Sequence, residues 1–188
     1  MKVTVGVGTR HVYLTEEDVK KLFGKDYSLT VFRRLSQGKS FMSNETVKLK
    51  SDHGELENVR VLGPTRKYTQ AFILKSDDHL LRISPLPRDE GDLSDCAKIT
   101  LVGPSGEVTK ECACLMMRHL HMNPKDSFKF GYYNGEMVRA RIKSDKGAIL
   151  EKVKVKIDPN YYLELHLDID DANTCLVETG DVVDILKR

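Results

Sequence analysis

The sequence of 188 residues has no tryptophan, only four cysteines and no long apolar run. Its longest apolar stretches, such as AFIL and CLMM, are far shorter than the roughly 20 residues of a membrane-spanning helix, so a membrane protein is not expected. The cysteines show no C-x-x-C spacing and are expected in the core, with Cys112 and Cys114 as a weaker metal-ligand alternative. The chain enters KVTVGVG without an export leader, which predicts a cytoplasmic protein.

The sequence also has no large excess of positive or negative charge. Thirty basic residues stand against 28 acidic ones, which gives a net charge of +2. The lysines and arginines are scattered along the chain rather than massed in one segment, so the electrostatic footprint of a nucleic-acid-binding protein is missing. We therefore expect no nucleic-acid partner.

Short strand-like segments dominate what is present. They are rich in β-branched residues, alternate between polar and apolar positions, and end at Gly, Pro, Asn or Asp, which predicts a mainly β protein. Two helices are expected between them. TEEDVKKLFG has Thr15 as N-cap and Gly24 as its stop, and NPKDSFKFG has Asn123 as N-cap followed by Pro124 at the first helical position.

One motif occurs twice: RHVYLTEED begins at Arg10 and RHLHMNPKD begins at Arg118. Each copy follows a strand-like segment and precedes a short helix, which suggests duplication of a β unit. We expect two tandem, pseudo-symmetric β-barrel domains with short capping α-helices. The halves are expected at residues 1–92 and 93–188, near the loop-like stretch PLPRDEGDLSDCAK, with strands open to exchange between them.

The histidines form the clearest candidate site. In an extended segment residues i and i+2 share a face, so His119 and His121 are presented together. The same alternation in YYLELHLDID places His166 on a polar face with Glu164, Asp168 and Asp170. Such a set suits zinc. The alternative is that these are ordinary hydrogen-bonded strand histidines.

Two further assignments have structural alternatives. Arg10 and Arg118 can tie down neighbouring carboxylates through bidentate hydrogen bonds rather than act in a site. Asp168, Asp170 and Asp171 can form a cap and turn at the end of a strand.

Several blocks of the sequence, taken in order, resemble the PduL-type phosphate propanoyltransferases. These blocks are VGVGTRHVYLTEEDVKKLFG, LTVFRRLSQGKSFMSNETVKL, NVRVLGPTRKYTQAFI, RDEGDLSDCAKITLVGPSGEV, RHLHMNPKDSFKFG and ELHLDIDDAN. The resemblance implies a pair of β-barrels with two zinc ions in an active site between them. It also implies the reaction of acyl-CoA, typically propionyl-CoA or acetyl-CoA, with phosphate to give acyl phosphate and free CoA.

The resemblance also implies roles for individual residues. Arg66, in GPTRK, falls at the position that holds phosphate. The metal ligands fall at His11, His119, His121 and His166. The contacts to CoA fall at Val7, Gly8, Thr9, Arg60 and Asn173.

The chain departs from the family pattern at two positions. Tyr13 stands where the family has a histidine, and Phe72 stands where it has a metal-binding carboxylate. Tyrosine is a poor zinc ligand and phenylalanine is none. Both losses are expected to fall on one metal and to leave His11 and His166 without two partners, so one or two zinc ions are expected.

Three functions follow from this pattern. The first is a working phosphate acyltransferase. The second is a catalytically degenerate relative that serves as a CoA-binding or assembly partner, and the third is a double-barrel module for another ligand such as nucleic acid. The resemblance implies a homodimer, and a start at MKVTVGVG leaves no room for the N-terminal extension that directs relatives into a microcompartment.

Overall fold

The computed structural model describes residues 1–35 and 38–187 and contains fourteen strands and four short helices in these ranges. The strands are β1 (Lys2–Gly8), β2 (His11–Tyr13), β3 (Val31–Arg34), β4 (Phe41–Lys50), β5 (Glu55–Gly63), β6 (Gln70–Ile73), β7 (Pro87–Arg88), β8 (Ala97–Gly103), β9 (Gly106–Met116), β10 (His119–Met122), β11 (Met137–Ile142), β12 (Ala148–Ile157), β13 (Glu164–Asp168) and β14 (Val182–Leu186). The helices are α1 (Glu16–Phe23), α2 (Asp78–Leu81), α3 (Pro124–Phe130) and α4 (Ile169–Cys175). The expectation of a mainly β protein with short helices is confirmed.

The two helices expected from the sequence begin at the caps their sequences indicate. The side chain of Thr15 accepts a hydrogen bond from the backbone N–H of Asp18, and Gly24 follows the last residue of α1. In α3 the side chain of Asn123 accepts from the backbone of Asp126. These bonds satisfy N–H groups that a helix leaves without partners in its first turn.

Two compact units make up the chain. Residues 10–116 form the central barrel, closed by β4, β5, β2, β6, β9 and β8, with β3 and β7 added beside β4 and β9. Residues 1–9 and 117–188 form the terminal barrel, closed by β1, β13, β10, β12, β11 and β14.

The two barrels have the same connectivity. In the terminal barrel β10 pairs in parallel with β12 and antiparallel with β13, which pairs in parallel with β1. In the central barrel β2 makes the same pairings with β5 and β6, and β6 pairs in parallel with β9. The duplicated motif therefore reflects a duplicated barrel, as the sequence predicts.

The units differ from the expected halves 1–92 and 93–188. Strand β8 belongs to the central barrel because it hydrogen-bonds to β4 and β9. Strand β1 belongs to the terminal barrel because it pairs with β13 and β14. Strand β1 of the expected first half thus lies in the terminal barrel, and strands β8 and β9 of the expected second half lie in the central barrel. The expectation left such an exchange of strands open.

Each barrel is filled by its own apolar core. Val5, Leu120 and Leu165 are among the fully buried residues of the terminal barrel, and Val12, Val61 and Ile73 are among those of the central barrel. All four cysteines are free and buried, as expected of core residues. Within the described residues, no helix combines the length and apolar character needed to cross a membrane.

Candidate functional site

Three histidines of the terminal barrel lie on one face of two adjacent strands. In the antiparallel pair of β10 and β13, His119 lies opposite His166, and His121 lies opposite Glu164. Leu120 alternates with the histidines and points into the core, where it is fully buried. The strand period of two is therefore what brings the H-x-H pair and His166 together.

The three imidazole rings are close enough to share one ion. Their ring centroids are 4.6 Å apart for His119 and His121, 4.9 Å for His119 and His166, and 4.4 Å for His121 and His166. One ligand nitrogen from each ring lies within 4.8 Å of the other two. The structure thus brings together three of the four expected metal ligands.

The electrostatics of this histidine cluster favour neutral imidazoles at His119 and His121. Burial lowers the pKa of His119 well below its ordinary value, and the positive charge of Lys156 adds to this effect. Burial, with the nearby His166 and Lys156, lowers the pKa of His121 to about 2. Neutral imidazole is the form that binds a metal ion, so these rings need lose no proton to do so.

The hydrogen bonding of the cluster also fits a metal ion. The Nδ1 atom of His119 lies 2.8 Å from the carbonyl oxygen of Met117. A carbonyl only accepts, so Nδ1 carries the proton and Nε2 keeps its lone pair. Nδ1 of His121 and Nε2 of His166 are buried without a hydrogen-bond partner among the described residues. Buried polar atoms rarely stay unpaired, and three imidazole nitrogens match the ligand preference of zinc.

Two neighbours surround the cluster. The ring of Tyr161 stacks on that of His121 with centroids 3.8 Å apart and an interplanar angle of 11°. Oε2 of Glu164 lies 2.9 Å from Nε2 of His166, although not in the geometry of a hydrogen bond. The carboxylate occupies the space above Gly6, where an added Cβ would lie 3.0 Å from its Cδ atom. Sequence reasoning placed Glu164 on this face but missed Gly6 and Tyr161, because only strand pairing and a loop bring them near.

The arginine of each copy of the motif binds a carboxylate in its own barrel. Arg118 donates from Nε and Nη2 to the two oxygens of Asp171 at 2.7 and 2.6 Å. Arg10 binds Asp77 in the same bidentate way, at 2.9 and 2.8 Å. The structural alternative for these arginines is therefore confirmed.

The aspartates at the end of β13 and in the first turn of α4 have the structural role of a cap and turn. Strand β13 ends at Asp168, whose side chain accepts from the backbone N–H of Asp171 and caps α4. Asp170 lies in the first turn of α4, so the alternating strand does not extend to it, contrary to the expectation from YYLELHLDID.

The central barrel carries an aromatic group at the equivalent place. His11 lies opposite Phe72 in the pairing of β2 and β6, and Tyr13 lies opposite Gln70. The ring of His11 is 5.3 Å from both Tyr13 and Phe72, between centroids. Tyr13, Phe72 and Cys114 belong to a small buried cluster. The structure groups His166 with His119 and His121 in the terminal barrel, and the expected association of His166 with His11 stays a prediction.

The cysteines of β9 do not favour the metal-ligand alternative. Burial raises the pKa of the Cys112 thiol to about 12 and raises that of Cys114 above its ordinary range. Zinc binds the thiolate form, which burial disfavours at both positions.

The guanidinium of Arg66 is held by several contacts in the central barrel. Its Cζ atom lies 4.9 Å from the ring centroid of Tyr13. Nε donates to Glu90 at 3.1 Å, Nη1 to the carbonyl of Pro64 at 2.9 Å and Nη2 to Ser40 at 3.0 Å. The side chain remains 21% exposed. Arg66 is thus a positioned cation with part of its surface open to solvent.

The residues expected to contact CoA are divided between the units. Val7 and Gly8 end β1, Thr9 follows it, and Asn173 lies on α4, which packs against β1 in the terminal barrel. Arg60 lies beside His11 in the central barrel. Its guanidinium is 5.5 Å from the ring centroid of Phe32. The CoA role of all five residues stays a prediction.

Comparison with known proteins gives a consistent result. The model of the phosphate propanoyltransferase family matches residues 4–178. A phosphate propanoyltransferase of Thermotoga maritima is 39% identical over 187 residues, which cover 98% of this chain and 89% of that protein. A phosphate propanoyltransferase of Priestia megaterium is 41% identical over 180 residues, which cover 95% of this chain and 83% of that protein. A phosphate propanoyltransferase of Rhodopseudomonas palustris is 36% identical over 188 residues, which cover 100% of this chain and 83% of that protein.

Proposed function

Because the chain belongs to the phosphate propanoyltransferase family, we propose that it interconverts acyl-CoA and phosphate with acyl phosphate and CoA. Propionyl-CoA and acetyl-CoA are the proposed acyl donors. A phosphate oxygen forms a bond to the thioester carbonyl carbon, and the C–S bond breaks with its electron pair on the sulfur of CoA. The observation that carries this proposal is the histidine cluster in a chain of this family.

The metal proposed for this reaction is zinc, held by His119, His121 and His166. The burial and lowered pKa values of His119 and His121, together with the unpaired nitrogens of His121 and His166, support this assignment. Three protein ligands leave a coordination position open, as catalytic zinc sites require. Bound zinc would act as a Lewis acid toward a carbonyl or phosphoryl oxygen.

Arg66 is proposed to bind the phosphate. A guanidinium has five N–H donors and a permanent positive charge, and it binds phosphate oxygens in a fixed orientation. The contacts with Tyr13, Glu90 and Ser40 hold it in one place. A phosphate oriented in this way has its attacking oxygen positioned before the reaction, which lowers the entropic part of the barrier.

The proposal is tested by phosphate-dependent release of the CoA thiol from propionyl-CoA and from acetyl-CoA, with and without added zinc. We expect turnover that requires phosphate and is lost in His119→Ala. His53→Ala, which removes an exposed histidine from the central barrel, is the matched control and should keep full activity. Equal activity of His119→Ala and the unchanged protein would contradict the assigned metal site.

A second candidate function is supported by Tyr13 and Phe72. A chain without two ligands of a metal site can be a catalytically inactive relative that binds CoA or assembles with an active subunit. The same assay distinguishes the two functions. Absence of turnover under every metal condition, together with calorimetric binding of CoA, would favour the inactive relative.

A further inference from the structure

The ring of Tyr13 lies beneath the guanidinium of Arg66, at 4.9 Å between Cζ and the ring centroid. Tyr13 is 8% exposed, so the contact is largely shielded from water. A cation over an aromatic face is attracted by the ring quadrupole, and this attraction strengthens as the pair is desolvated. The contact is therefore a stabilising one rather than an incidental neighbour.

Tyr13 occupies a position in the central barrel that is equivalent to a histidine position in the terminal barrel. Tyr13 is the fourth residue of its Arg-His copy, as His121 is of the other copy. Strand β2 pairs with β5 and β6 as β10 pairs with β12 and β13, so Tyr13 corresponds to His121. In the terminal barrel that position contributes an imidazole to the histidine cluster. In the central barrel it contributes an aromatic face, and the cation beside it is a side chain of the protein.

The ring of Tyr13 is itself held in place. Its edge contacts with His11 and Phe72 have interplanar angles of 83° and 90° and centroid distances of 5.3 and 6.4 Å. The backbone N–H of Arg66 donates to the carbonyl of Leu14, the next residue of the chain, at 2.8 Å. The backbone beside Tyr13 and the ring of Tyr13 thus fix the two ends of the same arginine.

From these contacts we propose that Tyr13 is a positioning residue for Arg66, and that at this place a cation–π contact stands in for a metal ligand. This inference rests on the proposed role of Arg66 in phosphate binding. Three of the five N–H donors of Arg66 already bind Glu90, Pro64 and Ser40. An aromatic face suits the proposed role because it attracts the guanidinium without using either of the two remaining donors, which a second carboxylate would take from the anion.

The test is steady-state kinetics of the zinc-loaded full chain with phosphate as the varied substrate. Tyr13→Leu removes the ring and should raise the KM for phosphate by about 3- to 30-fold, the range expected for the loss of a cation–π contact. The KM for acyl-CoA should stay unchanged. Tyr13→Phe keeps the ring and should restore a phosphate KM within about twofold of the unchanged protein, because the face and not the hydroxyl holds the cation.

Two controls separate positioning from stability. Tyr27→Leu removes another ring of the central barrel, which stacks on Phe23, and should leave the KM for phosphate unchanged. If Tyr13→Leu does not fold, Tyr13→Met retains volume without a π face and takes its place. An unchanged KM for phosphate in Tyr13→Leu, or in Tyr13→Met if that variant replaces it, would overturn the inference. An increase of the KM for phosphate in Tyr13→Phe as large as that in Tyr13→Leu would also overturn it.

Calorimetric titration with inorganic phosphate keeps this inference distinct from the proposed function. If the protein has no phosphate-dependent turnover, the proposed function fails, and the Kd for phosphate then decides whether Tyr13 positions Arg66. A weaker Kd in Tyr13→Leu but not in Tyr13→Phe would support the inference. A protein that neither turns over nor binds phosphate would overturn both.

Discussion

Phe72 holds in the central barrel the position that His166 holds in the terminal barrel. Each residue lies directly opposite the first histidine of an Arg-His motif, His11 for Phe72 and His119 for His166. Each also lies five residues before the aspartate that binds the arginine of that motif. The two departures from the family pattern, Tyr13 and Phe72, therefore fall in one barrel, and the histidine cluster of the other barrel is intact.

The first prediction concerns metal content. We expect about one zinc ion per chain, since three imidazoles form one of the ligand sets of catalytic zinc, and no bound zinc in His166→Ala. The double substitution Tyr13→His with Phe72→His reproduces the three-histidine pattern around His11 and should raise the content toward two. Metal analysis after dialysis measures this. Two zinc ions in the unchanged protein would contradict the prediction.

The second prediction compares the two bidentate pairs. Arg118, the residue before His119, makes two parallel hydrogen bonds to Asp171; Arg118→Lys loses one of them, and lysine cannot reproduce that fork. Loss of such a support commonly weakens metal binding about 10- to 100-fold. Arg10→Lys makes the same change in the central barrel and should leave zinc affinity unchanged. Zinc competition against a chromophoric chelator measures both, and equal losses in the two variants would argue against a specific support of His119.

The fold was predictable to the extent that it is local. Alternating β-branched segments and the caps Thr15 and Asn123 determine strands and helices from neighbouring residues alone. The repeat of Arg-His indicated the duplication. The boundary between the units was not predictable, because β1 and β8 join their barrels through partners far away in the sequence.

The candidate site was predictable in part for the same reason. The i, i+2 spacing of His119 and His121 indicated a shared face, but only the register of β10 and β13 assigns His166 to them. The burial of His119 and His121, and the lack of hydrogen-bond partners for nitrogens of His121 and His166, arise from packing, which no short motif encodes. The ligand role of His11, the homodimer and the cytoplasmic location stay predictions.

The third prediction concerns the close approach of Gly6 and Glu164. In Gly6→Ala the new Cβ would lie 3.0 Å from Cδ of Glu164, so the carboxylate, whose Oε2 lies 2.9 Å from Nε2 of His166, must shift by a few tenths of an ångström. We expect zinc affinity to fall by about tenfold, the lower range for a neighbouring support. In a Glu164→Ala background the same glycine substitution should have little further effect, because the two act on one contact. Additive losses would show that Gly6 acts through something other than Glu164.

The fourth prediction concerns stability and pH. Asp18 on α1 is fully buried and accepts from the ammonium of Lys110 on β9 and from the hydroxyl of Thr69. Burial raises the pKa of this carboxyl, but these donors outweigh it and hold the pKa below its ordinary value of 3.8. A carboxyl whose pKa is lower in the folded state stabilises the protein at pH values above its pKa in the unfolded chain. This stabilisation is lost as the pH falls through the pKa of the folded state.

Asp18→Asn should therefore lower the free energy of unfolding by about 1–2 kcal/mol at neutral pH, a range that allows for solvent screening of the 39% exposed Lys110. The difference from the unchanged protein should shrink as pH falls below 3.8. Urea unfolding at pH 7 and at stepwise lower pH measures it. A difference that stays constant down to acid pH would mean that the charge of Asp18 is not what stabilises α1.

The assignment of β1 to the terminal barrel, and of β8 and β9 to the central barrel, sets an order for synthesis on the ribosome. Every strand of the central barrel has been made once Met116 has left the exit tunnel, so this barrel can close while the chain is still growing. Strand β1 is made first but finds its partners β13 and β14 only near the end. Until then Val3 and Val5, buried in the finished protein, belong to an unpaired strand that a chaperone can bind. Protease resistance of nascent chains stalled beyond residue 150 would reveal this as a protected central barrel preceded by a cleavable N-terminal strand.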